Sequence, residues 1–261
     1  MSFLRLWLPD LIQMLNKIIA VDKPASWTSF DVVAKVRGDL TRAITSDPNL
    51  CRCDACQQEL KRRVEGEEPK RPHKIKVGHA GTLDPFATGV LVLAVGKATK
   101  QIEQLMGQKK TYEATVKLGV TTETLDPESE EQFVSDDEPS EDEVEKALRR
   151  FVGEIEQTPP KYSALKVDGQ RAYDLARAGK EVKLKPRKVT VYSLKLIDYT
   201  YPEIKIKVEV SKGTYIRTLA QDIGNTLKTG GYCVQLRRTK VGEFLVGEAT
   251  TPEQAAVRLL K

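Results

Sequence analysis

The residues best suited to chemistry lie in one glycine-rich segment, residues 78–91, which reads GHAGTLDPFATGVL. Asp84 is its one carboxylate, and His79 stands five positions before it. Pro85 fixes the backbone just after Asp84 and biases that residue toward an extended conformation. The glycines permit left-handed backbone and close approach by a ligand. The pattern predicts a loop that presents a single acid at the end of a secondary-structure element.

Four other short motifs carry basic, aromatic and hydroxyl side chains that could serve such an acid. In one of them, Tyr215 and Arg217 are two positions apart, which on a strand would place them on the same face. An arginine there could pair with Asp84 and keep its carboxylate ionised and oriented. The motifs are Asp22-Lys23-Pro24 followed by Thr28-Ser29, Lys110-Thr111-Tyr112-Glu113-Ala114, Gly213-Thr214-Tyr215-Ile216-Arg217-Thr218-Leu219 and Leu236-Arg237-Arg238-Thr239.

Taken in this order, the motifs resemble those of the TruB family of tRNA pseudouridine synthases. The resemblance covers roughly residues 16–42 and 75–260. The sequence departs from the family pattern in the first motif, where Ala25-Ser26-Trp27 replaces the usual small glycine turn. The resemblance implies a pseudouridine synthase fold with a mixed, largely antiparallel sheet, flanking helices and an active site in a central cleft. Strand and helix patterns that alternate without a regular βαβ period also favour the α+β class.

The resemblance further implies an isomerase that converts the T-loop uridine at tRNA position 55 without a cofactor. Asp84 would be the nucleophile, with Tyr112 and Arg217 as the other catalytic residues and Arg217 paired with Asp84. The target uridine must leave the base stack to reach the carboxylate, so a pocket for a flipped-out nucleotide is expected. Substrate contacts are expected from Lys23, His79, Lys161, Arg171, Tyr215 and Leu236.

The chain is predicted to consist of an N-terminal extension, residues 1–15, and one catalytic domain, residues 16–261. Residues 43–74 contain three cysteines, a basic cluster and no hydrophobic period, and we interpret them as an insertion. Only residues 252–261 follow the predicted core. The small RNA-binding PUA domain found at the end of many bacterial family members is therefore predicted to be absent.

The insertion also suggests a metal site. Cys51, Cys53, Cys56 and His73 offer four ligands of the type that zinc prefers. The Cys-x-Cys-x2-Cys spacing differs from the two separated pairs of most zinc sites, so reduced thiols in a loop remain the alternative. A third interpretation makes the cysteine-rich segment a protein-docking module.

The charge distribution points to a polyanionic partner. The chain has a net charge of +5 and an isoelectric point near 8.9, although residues 123–145 are strongly acidic and read as a solvated face. No membrane span or signal peptide is recognised, so we expect a cytoplasmic monomer that binds the T-arm of tRNA. The main alternative is a non-enzymatic RNA-binding protein that assists tRNA folding. The set of Asp84, Tyr112 and Arg217 favours the enzyme.

Overall fold

The computed structural model describes residues 16–51, 54–67, 75–167 and 169–261. Short 3-10 helices cover Pro48–Leu50, Gly96–Gln101 and Val246–Glu248. The strands are β1 (Ile18–Lys23), β2 (Val77–His79), β3 (Thr88–Val95), β4 (Lys110–Leu118), β5 (Val120–Thr122), β6 (Glu131–Phe133), β7 (Gly153–Gln157), β8 (Lys166–Val167), β9 (Gln170–Arg171), β10 (Arg187–Thr200), β11 (Glu203–Val210), β12 (Gly231–Val241) and β13 (Phe244–Leu245). The helices are α1 (Ser29–Ser46), α2 (Asp54–Val64), α3 (Ile102–Met106), α4 (Glu141–Arg149), α5 (Ala172–Arg177), α6 (Ile216–Leu227) and α7 (Pro252–Leu260).

The chain divides into two compact units. The first contains the described residues up to Pro85, then Gly89–Met106 and Phe244–Lys261. The second contains Phe86–Thr88 and Gly107–Glu243.

The first unit is built around strand β3, which pairs antiparallel with β1 and with β2. Seven consecutive residues of β3, from Gly89 to Val95, are buried, and the alternate residues Leu91, Leu93 and Val95 belong to an apolar cluster with residues of α1, α7 and β1. Cys51 and Cys56 belong to the same apolar cluster. This core supports the segment that connects β2 to β3, in which Asp84 lies.

Helix α1 begins with a capping box. Thr28 accepts a hydrogen bond from the Asp31 amide (3.1 Å), and the Asp31 carboxylate accepts one from the Thr28 amide (2.8 Å). The Thr28 hydroxyl also donates to the Asp31 carboxylate (2.7 Å), and this bond, together with the one from the Thr28 amide, lowers the pKa of Asp31 below its usual value. The N-cap residue is therefore Thr28, although the neighbouring Ser29 has an equally suitable hydroxyl side chain. Ser29 is thereby left to bond elsewhere, as described for the site below.

The segment interpreted as an insertion, residues 43–74, is helical through much of its described part. Helix α1 runs into it as far as Ser46, and α2 follows the 3-10 turn. Two of its basic residues are engaged within the segment, since Arg62 pairs with Glu59 and Glu67, and Arg63 pairs with Glu59. These pairs reduce the charge that the cluster would offer to RNA. Whether the segment is an insertion stays a prediction.

The second unit contains five antiparallel strands in the order β12-β4-β11-β10-β7. Helix α6 packs against β12 at a point where a side chain at Gly224 would lie within 2.2 Å of the Gly230 carbonyl oxygen, so only glycine permits this approach. The predicted α+β class with a largely antiparallel sheet and flanking helices is confirmed. Within the described ranges, no helix combines the length and apolar character that crossing a membrane requires.

Candidate active site

Asp84 lies in the connection between β2 and β3, and both of its chain neighbours are held through their main-chain atoms. The Leu83 amide donates to the Ser29 hydroxyl (2.8 Å), which in turn donates to the Leu83 carbonyl (3.1 Å). On the other side, the Pro85 carbonyl accepts from the Ser26 amide (2.9 Å) and from the Lys23 ammonium (3.1 Å). The half-buried carboxyl group of Asp84 is therefore presented from a backbone that is anchored immediately before and after it.

Lys23 has no exposed surface, although the sequence suggested that it would contact substrate. Its ammonium group also donates to the carbonyl groups of Pro24 (2.8 Å) and Trp27 (2.6 Å). A buried ammonium with several carbonyl acceptors ties separate stretches of backbone together. The structure thus gives Lys23 a role in holding the Asp84 loop, and substrate contact by Lys23 stays a prediction.

The turn formed by Ala25, Ser26 and Trp27 is where the sequence departs from the family pattern. Ser26 has a φ of 68°, in the left-handed region that favours glycine. The amide of this residue is the one that donates to Pro85. The backbone therefore keeps the geometry of a glycine turn even though serine occupies it.

His79 and the glycines frame the same loop. His79 is half-buried at the end of β2, opposite Leu93 of β3. Gly81 adopts a φ of 110°, in the predicted left-handed region. A side chain at Gly78 would lie 2.6 Å from the Ile102 Cδ1 atom, so the Ile102 side chain would have to shift to admit it. The role of His79 in substrate binding stays a prediction.

In the second unit, Tyr112 and Leu236 lie on one face of the sheet. Tyr112 is opposite Arg238, and Leu236 is opposite Ala114, so the two side chains are diagonal neighbours across β4 and β12. Both are almost fully buried. This brings together an aromatic ring and an aliphatic side chain of the kinds expected to contact a uracil.

Lys110 lies on the same face as Tyr112, two positions earlier on β4. Burial, together with the nearby positive charges of Arg238 and Lys212, lowers its pKa to about 8. The ammonium donates to the Gln108 carbonyl (2.7 Å). This face of the sheet is therefore cationic at pH 7, and raising the pH through 8 removes one of its charges.

Arg217 lies in a helix, so the placement of Tyr215 and Arg217 on one strand is wrong. Helix α6 begins at Ile216, with Tyr215 as its N-cap residue in an extended conformation. The sequence around these residues, TYIRTL, has the β-branched and aromatic content of a strand, and the packing of the apolar face of α6 on β12 overrides that propensity. The same-face argument for these two residues therefore does not apply.

Within its own unit Arg217 forms a buried ion pair with Asp126. The distance between Arg217 Nη1 and Asp126 Oδ2 is 2.7 Å, and the two side chains are 4% and 2% exposed. Arg217 also donates to the carbonyl groups of Thr124 (2.9 Å) and Tyr162 (2.7 Å). The guanidinium thus ties α6 to two separate loops. Pairing of Arg217 with Asp84 stays a prediction.

The interpretation of residues 123–145 as a solvated acidic face is wrong at Asp126, which is buried. Its carboxylate also accepts from the Thr124 hydroxyl (2.6 Å) and the Glu128 amide (3.0 Å), so both oxygens are used inside the protein. The adjacent Leu125 is an apolar residue within a polar stretch, and its side chain is buried. Leu125 is therefore the signal in the sequence that could have indicated a buried segment here.

The basic, tyrosine-containing segment at residues 158–182 makes contacts both within itself and with Glu123. Tyr162 donates to Glu123 (2.9 Å), which raises the pKa of the Tyr162 hydroxyl. Its ring meets that of Tyr173 edge to face, and Arg177 lies over the Tyr173 ring at 4.6 Å. Lys161 is exposed, as a phosphate contact would require. Arg171 lies in β9, and its contact with RNA stays a prediction.

The zinc prediction gains no support from the described part of the chain. Cys51 and Cys56 are buried in the apolar core, where they pack as small hydrophobic side chains. Cys53 and His73 lie outside the described residues. Among residues that are described, no group of three or more histidine, cysteine or acidic side chains is arranged to hold a metal ion.

Comparison with known proteins identifies the family. Residues 69–216 match the model for the TruB family pseudouridylate synthase (N terminal domain), and residues 217–259 match that for the tRNA pseudouridylate synthase B C-terminal domain. The chain belongs to the TruB family of pseudouridine synthases. Asp84, Tyr112 and Tyr215 all fall within the first match, and Arg217 is the first residue of the second.

Two curated relatives match over nearly their whole length. The tRNA pseudouridine synthase B of Bacteroides fragilis is 42% identical over 242 residues, which are 92% of this chain and 93% of the relative. The protein of the same name from Parabacteroides distasonis is 44% identical over 240 residues, 92% of this chain and 91% of the relative.

Solved structures give the same fold. A crystal structure of a Cbf5-Nop10-Gar1 complex matches with a TM-score of 0.60 and 27% identity over 90% of this chain. A structure of an H/ACA RNP bound to a substrate RNA containing 2′-deoxyuridine matches with a TM-score of 0.57 and 26% identity. This chain spans about half the length of the matched chain in each, 51% and 49%.

Proposed function

We propose that this enzyme isomerises uridine to pseudouridine in the T-loop of tRNA, at position 55, with Asp84 as the nucleophile. The observation that carries the proposal is the Asp84 loop, in which Ser29 fixes the preceding residue and Lys23 and Ser26 fix the following one. A carboxylate held in this way loses little freedom when it meets its substrate, as catalysis requires. The relatives named tRNA pseudouridine synthase B support the choice of tRNA.

The reaction needs a carboxylate and no external reactant. The bond between N1 of uracil and C1′ of ribose breaks, the ring turns, and a bond forms between C5 and C1′. The C5 proton is released and N1 gains one, so atoms and electrons balance without redox chemistry or a cofactor. A carboxylate can act on the ribose or on the ring as a nucleophile. The uridine must be flipped out of the stack for this attack.

The other site residues keep the roles expected from the sequence as part of this proposal. Tyr112 would stack on the flipped uracil and exchange a proton with it. Arg217, which is fixed by Asp126, would keep the Asp84 carboxylate ionised and oriented. Contacts with the nucleotide and with RNA phosphates would come from His79, Lys161, Arg171, Tyr215 and Leu236. A monomer acting in the cytoplasm stays a prediction.

The direct test uses a T-arm stem-loop RNA labelled with tritium at C5 of the target uridine. Conversion releases the tritium to water, and chemical mapping of pseudouridine locates the product. We expect the wild-type protein to convert this RNA. Asp84→Asn keeps the side-chain shape but removes the nucleophile, and it should abolish conversion while RNA binding persists.

Glu103→Gln is the matched control, since Glu103 is an exposed carboxylate in the same unit as Asp84. It should leave conversion unchanged. Near-normal turnover by the Asp84→Asn protein would remove Asp84 from the mechanism. Binding of the RNA by the wild-type protein without any conversion would favour the alternative of a protein that only assists tRNA folding.

A further inference from the structure

The main chain of Tyr215 is held by one buried side-chain amide. The Tyr215 amide donates to Gln157 Oε1 (2.7 Å), and Gln157 Nε2 donates back to the Tyr215 carbonyl (3.0 Å). Gln157 is only 1% exposed. Tyr215 is the N-cap residue of helix α6, and its own side chain makes no capping hydrogen bond. The Gln157 side chain therefore bonds to the Tyr215 backbone in the way that an adjacent strand would. The Tyr215 amide is thereby satisfied, and its carbonyl, which also accepts from the Leu219 amide (3.1 Å), receives a second bond that fixes its direction.

The ring of Tyr215 is held by a second residue. The guanidinium carbon of Arg187 lies 4.9 Å from the centroid of the Tyr215 ring, within cation–π distance. Arg187 Nη2 also donates to the Gly213 carbonyl. The Arg187 Nε atom is buried and has no hydrogen-bond partner. The guanidinium is thus oriented by the ring and by the turn before it, at the cost of one unsatisfied donor.

Gln157 and Arg187 are directly opposite each other. They form a register pair between β7 and β10, at the end of the antiparallel ladder. Opposite residues in such a ladder project to the same side of the sheet. Two side chains from adjacent strands therefore contact Tyr215. Gln157 hydrogen-bonds to its backbone, and Arg187 lies over its ring.

We propose that Gln157 and Arg187 are positioning residues for Tyr215, and that together they set the direction in which its ring is offered to the target nucleotide. The inference rests on the proposed function in one respect, that Tyr215 contacts this nucleotide. Neither Gln157 nor Arg187 needs to touch RNA for this role. Their effect on the reaction is expected to pass entirely through the Tyr215 ring.

The test is a double-mutant cycle on conversion of the T-arm RNA. Arg187→Gln should lower kcat/KM by roughly ten-fold, the scale of a partly buried cation–π contact. The same substitution in a Tyr215→Ala protein should change kcat/KM less than about two-fold, since no ring remains to be positioned. Gln157→Glu, which keeps the acceptor but loses the donor to the Tyr215 carbonyl, should behave in the same way. Lys188→Gln is the control, because Lys188 is an exposed neighbour paired with Glu154.

A merely structural role would lower activity equally with and without the Tyr215 ring, so an additive cycle would overturn the proposal. So would an unchanged rate in the Arg187→Gln protein. If that protein has a lower unfolding midpoint than wild type, Arg187→Lys replaces it in the cycle, since lysine keeps the charge but not the planar group.

A second readout does not depend on activity. In protein with 13C-labelled tyrosine, the ring signal that disappears in Tyr215→Ala should shift in Arg187→Gln and stay in place in Lys188→Gln. An unshifted signal would overturn the positioning role even in an active enzyme. A shifted signal in a protein that converts no RNA would instead leave the positioning intact and remove the proposed function.

Discussion

Replacing Asp126 with asparagine should destabilise the protein strongly, although the two side chains have nearly the same shape. In the wild-type protein the carboxylate accepts from Arg217, from the Thr124 hydroxyl and from the Glu128 amide. Asparagine can keep the last two bonds through its one remaining oxygen. Its NH₂ group must then face the guanidinium of Arg217, so two donors meet in a site that is closed to water.

The magnitude follows from the burial of the pair. Removing one partner of a buried ion pair costs about 3–5 kcal/mol. The lower end applies here, because Arg217 keeps its bonds to the Thr124 and Tyr162 carbonyls. A loss of about 3 kcal/mol corresponds to a fall in Tm of roughly 6–12 °C for a chain of this size.

Urea unfolding of the wild type and Asp126→Asn proteins measures the loss. Asp136→Asn is the matched control, since Asp136 is exposed in the same acidic stretch and should change stability by less than about 0.5 kcal/mol. In an Arg217→Met background, Asp126→Asn should cost much less than it does alone. A loss in Asp126→Asn no larger than that of the control would refute the account of a dry, coupled pair.

Three further predictions concern other residues. Burial raises the pKa of Asp222 to about 6, so the wild-type protein should lose stability as the pH rises from about 4 through 6. In thermal melts, the Asp222→Asn protein should be as stable as wild type near pH 4. At pH 8 it should be more stable by on the order of 1 kcal/mol, a figure reduced for the partial exposure of the side chain. Lys23→Met removes three bonds to backbone carbonyls, and kcat for T-arm RNA should fall on the order of 10²-fold with little change in RNA affinity; a parallel fall in affinity would point instead to direct substrate contact. Ser26→Gly relieves a left-handed backbone, so Tm should rise by an amount equivalent to up to about 1 kcal/mol, and a lower Tm would contradict the reading of that turn.

Local chemistry in the sequence was enough to predict the loop that carries Asp84. Glycine at a left-handed position and proline after the acid restrict the backbone through contacts between adjacent residues, and these restrictions operate wherever the segment lies. The loop is found between β2 and β3, and Gly81 has the expected conformation. The order of the short motifs likewise pointed to the family that the comparisons identify.

The residues that hold the site in place depended on contacts between distant parts of the chain. Lys23 and Pro85 are 62 positions apart, and Asp126 and Arg217 are 91 apart. The sequence does not distinguish a buried lysine or aspartate from a solvated one. Only the fold decides whether the partner of such a residue is a carbonyl, a guanidinium or water. Local patterning therefore placed Asp126 on a solvated face and Arg217 on a strand.

The sequence by itself determined the Asp84 loop and the kinds of side chain available for chemistry. The tertiary structure decided which of those side chains are held and by what. Gln157 illustrates the difference, since nothing in GEIEQ marks its last residue as a partner for the backbone of Tyr215. That role arises because β7 ends beside the start of α6, where the Tyr215 amide needs an acceptor and the Tyr215 carbonyl can accept a second bond.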